Sequence, residues 1–337
     1  MRNSIGTSVI LTLFGESHGE AVGAVLDGIA PGIEVDLQHI AEHLSERRPS
    51  GTAETARREP DEFRIVSGVF NGFTTGAPLC ILIPNTDVRS EDYSASSALP
   101  RPSHADFTAH VKYDGYEDWR GGGHFSGRLT AAITAAGAIL LKALERKGIY
   151  IKSKVVECAG LKDENAFEEA ILKAKSEGDS VGGIIHTEVD GLEAGLGEPW
   201  FDSLEGALAR AVFSLGGVKG IEFGGGFALA RMRGSQANDQ FCLEEGVIRT
   251  ESNNSGGVNG GISNGMPVVF NTAVKPTPSI SRPQKSVNLE TGGEATLEIT
   301  GRHDPAIVRR ICPVITAMTA LVLSDILAIK HGTDYLK

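Results

Sequence analysis

The chain reads as an α+β protein, a helical core flanked by antiparallel sheets, and three observations predict this. Six segments alternate apolar and polar residues between Gly, Pro, Asn or Asp boundaries, the pattern of half-buried strands. Two Ala-rich segments carry no charge over 131–141 and 311–324, so each helix they form is buried on nearly all sides. The strands come in hairpin-like groups without regular β-α-β alternation, which favours antiparallel pairing.

In chain order, alternation predicts a first strand at 8–14, stopped by Gly15. A helical period follows over 36–48, with Asp36 placed to cap its free N–H groups. Strands at 63–70 and 79–83 flank Asn71-Gly72 and Gly76-Ala77-Pro78, which are turn signals. A long helix at 127–147 leaves the glycine-rich segment before it, and a shorter helix covers 165–176. Then come a strand at 181–189, a helix at 203–213, strands at 220–233 and 266–274, and a final long helix at 306–330. Asp304 and Pro305 fit the N-cap and first helical position of that last helix.

The two halves resemble each other weakly. Gly68-Val69-Phe70-Asn71-Gly72 with its following strand parallels Gly261-Ile262-Ser263-Asn264-Gly265 with its own, and each leads to a His/Asp element and a long Ala-rich helix. Duplication of a sheet-plus-helix unit accounts for this, as does a chance match of two Gly/Pro hairpins. No Pro- or Ser-rich linker divides the 337 residues, so a single domain is expected.

A net charge of −11 argues against nucleic acid as the main partner, since a phosphate backbone needs a basic face. It leaves room for one small anion, because arginines are locally dense at Arg47-Arg48, Arg57-Arg58, Arg101, Arg120 and Arg128. The four cysteines lie far apart with no Cys-x-x-Cys spacing, which points to neither zinc nor a disulfide scaffold, and no metal site is expected. Lys142 and Asp325 interrupt the two most apolar runs, and the N-terminal segment lacks the apolar region of a signal peptide. A soluble cytoplasmic protein with no membrane partner is the expectation.

Chemistry concentrates where titratable side chains stand beside Gly or Pro. His18 lies in Gly15-Glu16-Ser17-His18-Gly19 at a strand end, where a bend turns the imidazole toward a ligand instead of a core. His104 lies in Arg101-Pro102-Ser103-His104-Ala105-Asp106; a structural histidine bonded to Asp106 is its alternative reading. Gly121-Gly122-Gly123-His124-Phe125-Ser126-Gly127-Arg128 enters a helix as an anion site would, without the Gly-Lys-Ser/Thr ending of a P-loop. Lys275-Pro276-Thr277-Pro278-Ser279 offers a cation and two hydroxyls on a stiff extended segment, or else is a Pro-rich surface loop. Asp304 in Gly301-Arg302-His303-Asp304-Pro305 is explained by catalysis or by capping alone.

Together these motifs resemble the chorismate synthases. The pentapeptide 15–19, Arg-Arg-Pro at 47–49, Arg-Arg-Glu-Pro at 57–60, Asp-Tyr-Ser at 92–94, the hexapeptide 101–106, Gly-Gly-Ile-Ser at 260–263, Lys-Pro-Thr-Pro-Ser at 275–279 and Gly-Arg-His-Asp-Pro at 301–305 occur in the family's order. The resemblance implies a cytoplasmic lyase of the shikimate pathway. Its reaction is the anti-1,4-elimination of phosphate from 5-enolpyruvylshikimate 3-phosphate to give chorismate. Reduced FMN is required without net redox change, with NADPH or an external flavin reductase as the source of electrons. The implied fold is a β-α-β sandwich and the implied assembly a homotetramer.

Carried over by position, the resemblance implies that His18 protonates or hydrogen-bonds the leaving phosphate. His104 would protonate the reduced flavin near its N1–C2 edge, and Asp304 would act with flavin N5 on the ring proton. Arg47, Arg101 and Arg128 would bind the substrate's anionic groups. FMN contacts would fall to His124, Phe125, Ser126, Gly217, Val218, Gly260, Lys275, Pro276, Thr277, Pro278, Ser279 and Arg302. Many relatives read Gly-Gly-Gly-Arg-x-Ser-Ala-Arg where this chain has His124 and Gly127. A flavin-independent phosphate-ester lyase would use the same arginines and histidines but leave 275–279 unexplained. A phospho-ligand binding module would need neither imidazole.

Overall fold

A computed structural model describes residues 2–49, 60–86, 98–299 and 304–337. Two antiparallel sheets organise it. The first has five strands in the order Ser4–Ile5, Ile10–Gly15, Ala21–Asp27, Leu79–Pro84 and Arg64–Ser67. The second has four, in the order Val218–Phe223, Val268–Val274, Gly183–Asp190 and Tyr150–Cys158. Register follows the alternation: in Leu79–Pro84, Leu79, Ile81 and Ile83 are buried, and in Val268–Val274 every second residue from Val268 is.

The helices Thr130–Glu145 and Val308–His331 pack on each other; the first contacts the five-stranded sheet and the second contacts Tyr150–Cys158 and Gly183–Asp190. Every residue over 131–141 is buried, as the charge-free run requires. They meet tightly at Gly137: a Cβ there would lie 2.4 Å from the Ala317 Cβ and 2.8 Å from the Ala317 carbonyl oxygen. Two interior hydroxyls are satisfied within the helices, Thr134 Oγ1 donating to Thr130 O at 2.9 Å and Thr319 Oγ1 to Ile315 O at 2.8 Å, while Ser324 Oγ is buried with no partner among the described residues.

Lys142 and Asp325 do not stop these helices. Residues Gly127–Glu145 and Val308–His331 are both long and apolar enough to cross a membrane, yet 83% of each apolar window is buried inside the fold. Asp325 is instead employed at the helix side. Its carboxylate accepts N–H bonds from Thr7, Ser8 and Val9 at 2.6–3.0 Å and so closes the turn before the strand Ile10–Gly15.

Most element expectations match within two residues, including Leu37–Glu46 with Asp36 accepting from Gln38 N and His39 N. Three details differ. The expected strand 220–233 is Val218–Phe223 followed by a 3₁₀ segment, Gly226–Arg231, because Gly224 and Gly226 adopt positive φ and end the ladder. The last helix, Val308–His331, matches its expected bounds within two residues, but its N-cap is Ile307, so the capping positions expected for Asp304 and Pro305 fall before it. Tyr150–Cys158, one edge of the second sheet, lies where no strand is expected; two of its three exposed positions, Lys152 and Lys154, are lysines, which suits an edge.

Candidate active site

Gly15-Glu16-Ser17-His18-Gly19 leaves the strand Ile10–Gly15 and is held from two sides. Asn85, just past Leu79–Pro84, donates from Nδ2 to Glu16 O and Gly19 O, both at 2.9 Å. The glycine-rich segment Arg120–Phe125 closes over the loop: Ser17 N donates to Gly123 O at 3.0 Å, and His124 Nδ1 lies 2.8 Å from Gly15 O. His124 therefore fastens this segment to the loop. A Cβ at Gly121 would sit 2.4 Å from the His18 ring, and one at Gly122 would sit 3.3 Å from His104 Cε1. Both imidazoles rest against one bare stretch of backbone, at positive φ, where any side chain would crowd them. His18 is more enclosed than its Gly-flanked position predicts, at 8% exposure.

His104 lies at the end of a short turn before the helix Asp106–Lys112. Its Nδ1 is 2.6 Å from Asp106 Oδ1, and Arg101 grips the same carboxylate through Nε and Nη2, each at 2.7 Å. The bonding to Asp106 that a structural histidine would show is thus present, and the ring is also set beside Gly122, the neighbour of the glycine that meets His18. Burial pushes the Asp106 carboxyl up, but hydrogen bonds from Arg101 and His104 outweigh it and hold the group well below the usual carboxylate range.

The segment 275–279 leaves Val268–Val274 and lies across the Arg101–His104 turn. Lys275 Nζ donates to Ser103 O at 2.5 Å, and Arg101 Nη1 reaches Ser279 Oγ at 3.4 Å. On its other side Lys275 N donates to Gly217 O, and Ser180 Oγ donates to Thr277 O at 2.7 Å. Desolvation, then the nearby Lys219 charge, lowers the Lys275 pKa. Two hydroxyls here, Ser17 Oγ and Thr277 Oγ1, are buried with no hydrogen-bond partner among the described residues. Buried polar atoms cost free energy unless satisfied, so each is suited to a ligand's polar group.

A second cluster surrounds a cavity of 260 Å³ lined by Arg47, Arg48, Asp61, Arg128, Asp304 and Arg310 with apolar residues of the last helix. Asp61 is its hub, taking Arg47 Nη2 at 3.3 Å and Arg48 Nε at 3.8 Å, with Arg128 Nη1 bonded to its other oxygen. Arg128 also donates to Asn85 Oδ1 at 2.9 Å and to Pro84 O at 3.0 Å. Asn85 thereby connects this cavity to the His18 loop. Asp304 accepts from Ala306 N at 3.1 Å and from Arg310 Nη1 at 2.9 Å, while Arg310 Nε donates to Arg47 O. Ser126 lines the same cavity and a neighbouring one of 480 Å³ that also takes in His124 and Phe125.

Not every candidate joins these clusters. Gly217 and Val218 adjoin the start of 275–279 and the end of Val268–Val274. Gly260 stands in the turn between the short strands Val258–Asn259 and Ile262–Ser263, next to Gly261, whose carbonyl accepts from Leu204 N at 2.8 Å; this hairpin precedes Val268–Val274, whereas 275–279 follow it. Arg302, with Arg57, Arg58 and 92–94, lies outside the described residues. Asp61, Asn85 and Arg310 were not among the sequence candidates. A Pro60-Asp61 pair and an arginine in a helix's first turn are common surface features, so only their partners across the fold reveal them.

Against this geometry, the comparisons agree. A family model described as chorismate synthase matches residues 9–328. Chorismate synthase of Thermococcus gammatolerans is 48% identical, over 95% of this chain and 96% of its own length. That of Dehalococcoides mccartyi is 45% identical, and that of Chitinophaga pinensis 47%, each over 98% of both chains. Among solved structures, one titled "Crystal Structure of Chorismate Synthase" superposes with a TM-score of 0.76 at 28% identity, covering 98% of this chain and 96% of that one. With its mixed helices and antiparallel sheets, its paired imidazoles and its arginine cavity, the chain is an enzyme, a lyase, and belongs to the chorismate synthase family.

Proposed function

We propose that the enzyme removes phosphate from 5-enolpyruvylshikimate 3-phosphate by anti-1,4-elimination, giving chorismate for aromatic amino acid biosynthesis, and that it requires reduced FMN. The observation that carries this reading is the glycine turn at 121–122, which backs onto the rings of His18 and His104 together. Two imidazoles beside a cluster of guanidiniums suit a reaction that binds a multiply charged anion and handles protons.

The unpartnered hydroxyls of Ser17 and Thr277, and the cation of Lys275, fit a flavin's carbonyl-rich ring and phosphate. We assign its contacts to 124–126, Gly217, Val218 and 275–279, with Arg302 and Gly260 completing the set by family position. Bound reduced FMN supplies transient electron density for loss of an allylic phosphate without net oxidation. The residues do the rest. Arg47, Arg101 and Arg128 hold the substrate's anionic groups. His18 donates a proton or hydrogen bond to the departing phosphate oxygen. His104, with Nδ1 tied to Asp106, holds and passes a proton at Nε2. Asp304 accepts the ring proton through its carboxylate.

The same reading makes the chain one domain, a β-α-β sandwich whose hairpin, strand and long helix occur twice by duplication. It is a cytoplasmic homotetramer that binds no nucleic acid or membrane. Either NADPH at the enzyme or a separate reductase keeps the flavin reduced; an aerobic NADPH assay against an anaerobic dithionite assay separates the two. The central test is anaerobic turnover with FMN, followed by diene absorbance and phosphate release. Activity is expected only with reduced flavin, with many products per FMN. Full turnover by flavin-free protein would favour a simple phosphate-ester lyase, and stoichiometric flavin oxidation an oxidoreductase.

A further inference from the structure

Asp61 occupies an unusual place for a carboxylate that no reaction step uses. Its side chain is 1% exposed, and its backbone stands at φ 51, a strained setting for a non-glycine residue. Two almost fully buried guanidiniums, Arg47 and Arg128, converge on it from different elements, and the half-exposed Arg48 approaches from the rim. Without a negative charge between them, these cations would repel across a medium that screens poorly. Among the described residues around the 260 Å³ cavity, four guanidiniums (Arg47, Arg48, Arg128 and Arg310) face two carboxylates (Asp61 and Asp304), an excess of two positive charges.

We propose that Asp61 is a positioning residue that sets the spacing of Arg47 and Arg128 and limits the cavity's positive charge, so that an anionic substrate is held in a reactive pose without being bound too tightly. This rests on the function proposed above, in which Arg47 and Arg128 bind the substrate. The carboxylate serves as an internal anion: it keeps the arginines extended into the cavity, and it competes with the phosphate and carboxylates that enter. Removing its charge has two opposed effects. Anion affinity rises because the excess becomes three. Turnover falls because the guanidiniums are free to close on whatever anion arrives, and a displacement of about 1 Å costs on the order of 100-fold.

The test compares wild type with Asp61→Asn in two assays: calorimetric titration with inorganic phosphate, and kcat and KM for 5-enolpyruvylshikimate 3-phosphate with reduced FMN. The expected result is phosphate binding tighter by on the order of tenfold, from one added unit of charge, with kcat lower by roughly 10- to 100-fold. Unchanged or weaker phosphate binding, or wild-type kcat with only a lower melting temperature, would overturn the proposal and leave Asp61 a structural ion-pair partner. Should Asp61→Asn fail to fold, Asp61→Glu decides instead, since it keeps the charge and moves it. Reduced kcat with phosphate affinity near wild type supports positioning, and wild-type kcat refutes it. Wild-type protein that makes no chorismate would defeat the functional reading alone, because the phosphate titration still judges the carboxylate.

Discussion

Because Asp106 accepts from His104 Nδ1 while two Arg101 nitrogens grip its oxygens, the carboxylate selects Nε2 as the nitrogen that meets a ligand. Its folded pKa lies below the unfolded value near 3.9, so the stability it contributes is fully present above about pH 4 and is lost as acid protonates it. The difference in unfolding free energy between wild type and Asp106→Asn should therefore hold steady from pH 7 to 5 and shrink below about pH 4, as urea titrations at stepped pH would record. A gap that has not narrowed at all by pH 2.5 would mean the ionised carboxylate is not the source. His18→Ala and His104→Ala should each lower turnover by roughly 10²–10⁴, measured well below each variant's melting point because His18 is buried. Near-wild-type rates in both would remove the imidazoles from the chemistry. These histidines were legible in the sequence because Gly and Pro announce a bend. Asp61 was not: its partners stand 14 and 67 residues away, and neither period nor motif connects them.

At the scale of elements, helices and strands with clear periodicity were legible almost to their ends, and the failures have local causes. Ile307 starts the last helix in place of Asp304, whose carboxylate is turned toward Arg310. The strand Tyr150–Cys158 escaped notice because an edge strand with lysines on its outer face shows little apolar pattern. The crossing of the two long helices yields a sharper expectation. Alanine is favoured over glycine inside a helix by about 1 kcal/mol, yet at Gly137 its methyl would enter the space of Ala317. Overpacking of this kind costs about 1–3 kcal/mol, so Gly137→Ala should be neutral to destabilising and Gly137→Val clearly destabilising by chemical denaturation. A Gly137→Val protein as stable as wild type would show that the helices part at no cost.

For the molecule as a whole, the burial of the two long helices was readable because charge-free runs over 131–141 and 311–324 are too apolar to lie on any surface. What composition could not tell was whether protein or lipid covers them, and packing answers that. A chain ended at residue 299 loses the partner of Thr130–Glu145, and it should scatter light and lack a cooperative melt. A soluble, cooperatively melting fragment would show that the first sheet and its helix form a unit by themselves. The clasp of Asp325 on the backbone of Thr7, Ser8 and Val9 carries this further, into the order of events during synthesis. The turn that starts the first sheet emerges from the ribosome more than three hundred residues before the carboxylate that secures it. That sheet must wait, incompletely fastened, until the final helix arrives, so the ease with which this enzyme folds in a cell depends on how well its unfinished chain is kept from associating with others.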